Sequence, residues 1–344
     1  MRFFALLALL LALPAAAAPI TVAGQPGAPF TTPSNSYRWL DSQQRDLTGL
    51  RLSACNIQVE RNAVRIDKGQ SDIVIRDCVF RLKAPTTGSN LPVAIEVING
   101  SNVLLENVIA RDFRMKPING IYPNGDCFSG EKLAHDITLR EILANNCSDG
   151  GFDFKSTDLR FENATADTVG LAFRIWGQAT ASTITCANWS KGCIQGNTGG
   201  SFVVDRLILK PAPGDVTNFG VSKGYTLDIK ACEGALAAGT VLYFQEGASK
   251  SNTNVTLCGV KVTNQTDAQL RAQITARIAA DGAARAAVTE DITGLCAFVT
   301  PLADNDNNGK IDLGAANRKL CGNAPRVQYK GRNRAGQYVY EAAA

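Results

Sequence analysis

Beyond its first residues the sequence has no run of about 18 consecutive apolar residues, the length that a membrane-spanning helix needs. It also lacks any run of lysine and arginine, so nothing in it points to nucleic acid. No Cys-x-x-Cys spacing occurs, which leaves a cysteine-based metal site without support. Asn-Gly and Gly-Gly two-residue turns are mostly missing between its apolar segments, and a hairpin-built β-sandwich would need them. The single histidine, His135, opens an alternating segment where Ser, Thr and Asn stand in the equivalent segments, and reads as a turn residue.

What is present begins with "MRFFALLALLLALPAAAAP", a basic residue, an apolar run and a small-residue end. That is the pattern of a cleaved export signal over roughly residues 1–18, and it predicts a secreted or periplasmic protein. The hydrophobic content, 45%, suits a globular chain with a sizeable core. Lys and Arg number 35 against 31 Asp and Glu, a net charge of +4 that admits an acidic ligand without requiring one. A monomer is expected.

Ten cysteines follow the signal, an even number in a chain that an oxidising compartment would cross-link. Cys55 and Cys78 are 23 residues apart, Cys127 and Cys147 20, Cys232 and Cys258 26, and Cys296 and Cys321 25; Cys186 and Cys193 are close enough to close a small loop. Sequence does not fix connectivity among ten cysteines. Pairing of these neighbours is the hypothesis the spacings favour.

One short theme recurs: "TGLRLSACNI" (48–57), "SDIVIRDCVF" (71–80), "SNVLLENVIA" (101–110), "HDITLREILA" (135–144) and "TDLRFENATA" (157–166). Apolar residues alternate with polar ones at period two, which argues strands with one buried face. Each theme is accompanied by a shorter alternating strand, "AVRID", "AIEVI", "CFSGE", "GFDFK" and "AFRIW". Aligning Val64, Ile95, Phe128, Phe152 and Phe173 gives steps of 31, 33, 24 and 21 residues. Units of that size cannot bury their apolar faces alone and must stack. The predicted fold is all-β, a right-handed parallel β-helix, with aromatic residues stacked in its core and disulfides stapling neighbouring coils. Residues 19–262 would form this domain. In 263–344, "TDAQLRAQITARIAA" (266–280) changes to a helical period, with Thr266 as N-cap and Leu270, Ile274 and Ile278 on one face, a helical insertion or cap.

The aligned strands also place polar residues together. With Phe152 and Phe154 inward, Asp153 and Lys155 point outward, and the next coil sets Arg174 beside Asp153 and Trp176 beside Lys155. Ser129 and Glu131 take the same positions one coil earlier. The result is an outward patch of Asp126, Glu131, Asp149, Asp153, Lys155, Arg174 and Trp176. Its alternatives are a set of surface ion pairs worth about 0–1 kcal/mol each or a site. The basic stretch "RDFRMKP" (111–117) is either a groove lining or a solvated loop.

"NGDCFSGEKL" (124–133), "NCSDGGFDF" (146–154) and "GLAFRIWG" (170–177) together resemble the family nine polysaccharide lyases, which carry N-A-D-G-F-x-x-K, D-D-G-W-D and a G-F-K-L-G-G strand. The resemblance implies a pectate-lyase-like β-helix, calcium bound by acidic residues, and cleavage of a uronate-containing polysaccharide by β-elimination. Asp126, Asp149 and Asp153 then match calcium ligands and Arg174 the catalytic lysine. Trp176, Glu131 and Lys132 would contact an acidic polysaccharide. Three positions depart from the family: Gly150 stands where it has the second Asp, Cys127 where it has Gly, and Arg174 where it has Lys. Arginine is a poor base, with an ordinary pKa above about 12, and a good carboxylate clamp. Lys155 is therefore the rival base. A non-catalytic carbohydrate-binding or surface protein, favoured by Gly150 and Arg174, is the second possibility, and a glycoside hydrolase, implied by a weaker similarity of "GDC" and "RIW" to polygalacturonases, is the third.

A second calcium candidate is "DNDNNGKID". Asp304, Asp306, Asn308 and Asp312 fall at positions 1, 3, 5 and 9 of an EF-hand-like loop, with Gly309 at the tight turn and Ala315 where the bidentate Glu belongs. A calcium ion there would be structural.

Overall fold

The computed structural model describes residues 38–87, 91–117, 122–197, 199–212, 218–237, 241–246 and 254–290, and short strands at 21–23, 30–31, 327–332 and 338–342. Residues 1–18, Cys296, Cys321 and the candidate calcium loop with Asp304, Asp306, Asn308 and Asp312 lie outside the described residues. Among the described residues, nineteen strands join in one sheet that is parallel throughout, except where Asn254–Leu257 turns back on Val260–Lys261.

The strands form two ladders. The long one runs Arg51–Val59, Gln70–Leu82, Gly100–Arg111, His135–Asn145, the first part of Leu159–Ile175, the first part of Gln178–Gly196, Ser201–Lys210, Thr226–Gly234 and Asn254–Leu257. The short one runs Arg38–Asp41, Asn62–Ile66, Val93–Val97, Asp126–Gly130, Gly150–Phe154, the ends of the two longest strands, Phe219–Ser222 and Tyr243–Glu246. Val64 lies opposite Ile95, Ile95 opposite Phe128, Phe128 opposite Phe152 and Phe152 opposite Phe173, the column that the alternation marks.

Long strands do not stay straight, because Ala54, Asp77, Asn107, Glu141 and Asn163 have φ between 48° and 56°. Register puts these five residues in one column, so each coil turns at the same place. Asp and Asn tolerate this left-handed backbone better than most residues. Their side chains also bond up the column: Asn107 Nδ2 donates to Asp77 Oδ1 at 2.6 Å, and Asn163 Nδ2 to Glu141 Oε1 at 2.7 Å.

The core between the ladders is aromatic at its middle. Phe152 stacks on Phe128 and Phe173 with ring centroids 5.3 and 4.8 Å apart, and Phe161 meets Phe152 and Phe173 edge-on. Such geometries add stability beyond the area they bury. Cys55 is bonded to Cys78, Cys127 to Cys147, Cys186 to Cys193 and Cys232 to Cys258, the neighbours that the spacings favour.

The helix extends from Asp267 to Glu290, ten residues beyond the segment whose period announces it. Thr266 Oγ1 accepts from the Gln269 N–H and Gln269 Oε1 accepts from the Thr266 N–H, a reciprocal cap. Leu270 and Ile274 are fully buried and Ile278 packs partly against the core. No described helix is long and apolar enough to cross a membrane.

Candidate functional site

Three acidic residues come together where adjacent coils begin their short strands. Asp126 opens Asp126–Gly130, Asp149 immediately precedes Gly150–Phe154, and Asp153 lies within it. Arg174 stands opposite Asp153 in the next strand. Its Nη1 donates to Asp153 Oδ2 and its Nη2 to Asp149 Oδ2, both at 2.8 Å. Two disulfides brace the arrangement: Cys127–Cys147 ties the strand of Asp126 to the segment before Asp149, and Cys186–Cys193 closes the bend that carries Lys191.

The acids are not an exposed patch, although alternation sets Asp153 outward of its strand. Asp149 is fully buried, and Asp126 and Asp153 are 5% and 8% exposed. Non-local side chains cover them. Lys191 Nζ donates to Asp149 Oδ1 at 2.8 Å, and Tyr122 donates its hydroxyl to the same oxygen. Lys191 also contacts the Tyr122 hydroxyl and sits 3.9 Å from the centre of its ring. Arg114 and Met115 of the basic stretch bond to Asn146 and Ser148 beside the cluster, so that stretch is partly packed down.

Lys191 and Tyr122 are the two residues that the sequence reading does not single out. Lys191 has a signal in the register. Asp149 precedes Gly150, Gly150 faces Leu171, and Leu171 faces Gly192, so Lys191 comes two strands along from Asp149, at a shift of register between Val169 and Leu171. Gly170 lies between them, and a Cβ there would stand 2.5 Å from the Asp149 carbonyl oxygen. Tyr122 has no such signal, because it belongs to an irregular segment.

Burial, then the charges of Asp153 and Asp149, push the Asp126 carboxyl well above the usual carboxylate range. Burial also raises Asp153, although Arg174 opposes it. For Arg174 burial works the other way, but the charges of Asp153, Asp149 and Asp126 outweigh it and keep the guanidinium charged. Burial likewise works against the Lys191 ammonium, and its bonds to Asp149 and Tyr122 prevail. Burial and the bond to Asp149 raise the Tyr122 phenol, which stays protonated. Asp149 and Asp153 both bond to cations, Arg174 to each and Lys191 to Asp149. The folded pKa of Asp126 lies above its unfolded value, so its contribution to stability is complete below the unfolded pKa and is lost as pH rises through the folded one. Asp126→Asn should remove that loss, which urea unfolding at a series of pH values would measure.

Gly150 is a requirement of this packing. Its N–H donates to Asp126 Oδ1 at 2.7 Å, and a Cβ on it would come within 2.5 Å of that oxygen. Gly150→Ala should therefore cost about 1–3 kcal/mol through overpacking, read as a lower denaturant midpoint.

A second group lies alongside. Lys155 Nζ donates to Glu131 Oε1 at 2.6 Å and lies 5.6 Å from the centre of the Trp176 ring. Lys132 is exposed at the turn that follows. His135 is exposed, with Nδ1 2.7 Å from Asp136 Oδ2, and is the first residue of its strand, paired with Ser101, where the sequence suggests a turn.

Calcium takes six to eight oxygen ligands. Here Arg174 occupies an oxygen of Asp149 and one of Asp153, Lys191 occupies the other Asp149 oxygen, and Gly150 supplies no side chain. Asp126, Asp149 and Asp153 as arranged do not fit the ion. Among the described residues no group of three or more histidine, cysteine or acidic side chains is placed to hold a metal. Comparisons with family models, curated proteins and solved structures find no match to this chain.

Proposed function

We propose that the protein is an exported right-handed parallel β-helix of the pectate-lyase-like kind, a lyase that cleaves a uronate-containing polysaccharide by β-elimination. The observation that carries this reading is the meeting of Asp149, Asp153 and Arg174 on adjacent coils, with Lys191, Tyr122, Lys155 and Trp176 around them. Four disulfides agree with an oxidising compartment outside the cytoplasm.

β-Elimination needs positive charge against the uronate carboxylate, a base for the proton beside it, and a donor for the leaving oxygen. Arg174 and Lys191 supply fixed positive charge. Arg174 is a charge neutraliser and not a base, since two carboxylates hold it protonated. Lys155 is the base, held beside Trp176 by its bond to Glu131. Tyr122, protonated and more than half exposed, is the donor. Trp176, with Lys155 over its ring and Glu131 bonded to that lysine, would offer a flat face to a sugar ring, and Lys132 is assigned to the same substrate.

One observation favours a second reading. Every cation of the cluster is already paired with a carboxylate, as in a protein that binds an acidic polysaccharide without cutting it. Incubation with a panel of uronic-acid polysaccharides separates the readings. Ultraviolet absorbance of an unsaturated product is expected. New reducing ends without absorbance would indicate a hydrolase, and retention on the polysaccharide without either would indicate a binder.

A further inference from the structure

We infer that Arg174 is the resident cation of the acidic cluster, standing where a divalent metal would otherwise bridge Asp149 and Asp153, and that the site works on its substrate without calcium. The guanidinium spans the two carboxylates with one nitrogen on each, at 2.8 Å, and its side chain is 12% exposed. Planar two-nitrogen recognition suits arginine and not a lysine, which presents a single ammonium.

Three further features weaken the site for a metal without closing it. The nearer oxygen of Asp126 is already bonded to the Gly150 N–H. A side chain at 150 that could add a ligand would collide with that same oxygen. Lys191 brings a second positive charge to Asp149 from the opposite side. Lys191 and Tyr122, more exposed than Arg174, are the groups a uronate carboxylate would meet in place of a calcium ion. One buried oxygen, Asp153 Oδ1, has no hydrogen-bond partner. Removing Arg174 would leave it and the two released oxygens as an anionic pocket, the kind of donor set a hard divalent cation takes.

The inference depends on the lyase reading only for its activity arm. Thermal unfolding of the full chain is compared in calcium chloride and in EDTA for the wild type, Arg174→Ala and Asp153→Asn. A calcium response seated elsewhere in the chain is common to all three and cancels. Arg174→Ala is expected to gain a calcium-dependent rise of several degrees beyond that of the wild type, while wild type and Asp153→Asn respond alike. A calcium response in the wild type that Asp153→Asn abolishes overturns the inference, even if Arg174→Ala does not fold. So does a folded Arg174→Ala that gains nothing from calcium. In the activity arm, EDTA should leave elimination by the wild type unchanged. Loss of elimination in EDTA, restored by calcium, overturns the inference and upholds the lyase. No elimination with or without EDTA overturns the lyase reading, and the thermal arm still decides the role of Arg174.

Discussion

Arg174→Ala lowers folding stability by about 3–5 kcal/mol, the usual cost of removing one partner from a buried ion pair. The expected loss is at the upper side of this range because two carboxylates lose their partner at once, and Asp149 is wholly buried. Lys191 remains on Asp149, so the cluster is weakened and not emptied of charge. Arg174→Lys should recover only part of the loss, since one ammonium cannot reach both carboxylates as the two guanidinium nitrogens do. Urea unfolding measures both variants. Equal stability of Arg174→Ala and the wild type would mean that the ion pairs are no more than surface contacts.

The second large effect is on catalysis. If the proposed elimination is the activity, Lys155→Met should reduce it roughly 100- to 10,000-fold, the range that a positioned acid or base contributes. Its side chain sits between Glu131 and the Trp176 ring, so methionine can occupy the same path, and folding should be little changed. The loss is expected in kcat, with KM changed far less. Lys155→Arg is the informative companion. It keeps the positive charge but cannot give up its proton at ordinary pH, so a base role predicts that it is as inactive as Lys155→Met. Substantial activity in Lys155→Arg would reduce Lys155 to a charge contact with substrate.

The distribution of what the sequence reveals follows from how local each feature is. The column Val64, Ile95, Phe128, Phe152 and Phe173 is legible because alternation at period two fixes which side of a strand is buried, and the coil repeat then fixes the register. Asp153 opposite Arg174 follows from the same register. Cysteine spacings of about one coil place Cys55 against Cys78 and Cys127 against Cys147 for the same reason. The helix start is legible from Thr266, while its extent is not, because the alanine-rich continuation carries few apolar residues to mark a face.

Burial of the acids was not legible. Alternation calls Asp153 outward, and it does point away from the phenylalanine core, but outward of a strand is not the same as exposed. The cover comes from Lys191, 42 residues after Asp149 in sequence, and from Tyr122 in a segment without period. Gly150 shows the same limit. Against a family motif it looks like a missing ligand, whereas in the folded chain it is the position at which Asp126 leaves no room for a side chain.

The most direct test is the mass of the products from a defined oligouronate. Elimination breaks the chain without adding water, so the masses of the two fragments should sum to that of the parent, one of them carrying the unsaturated sugar. Fragments whose masses sum to the parent plus one water, or a parent left intact by a protein that binds it, would contradict the account.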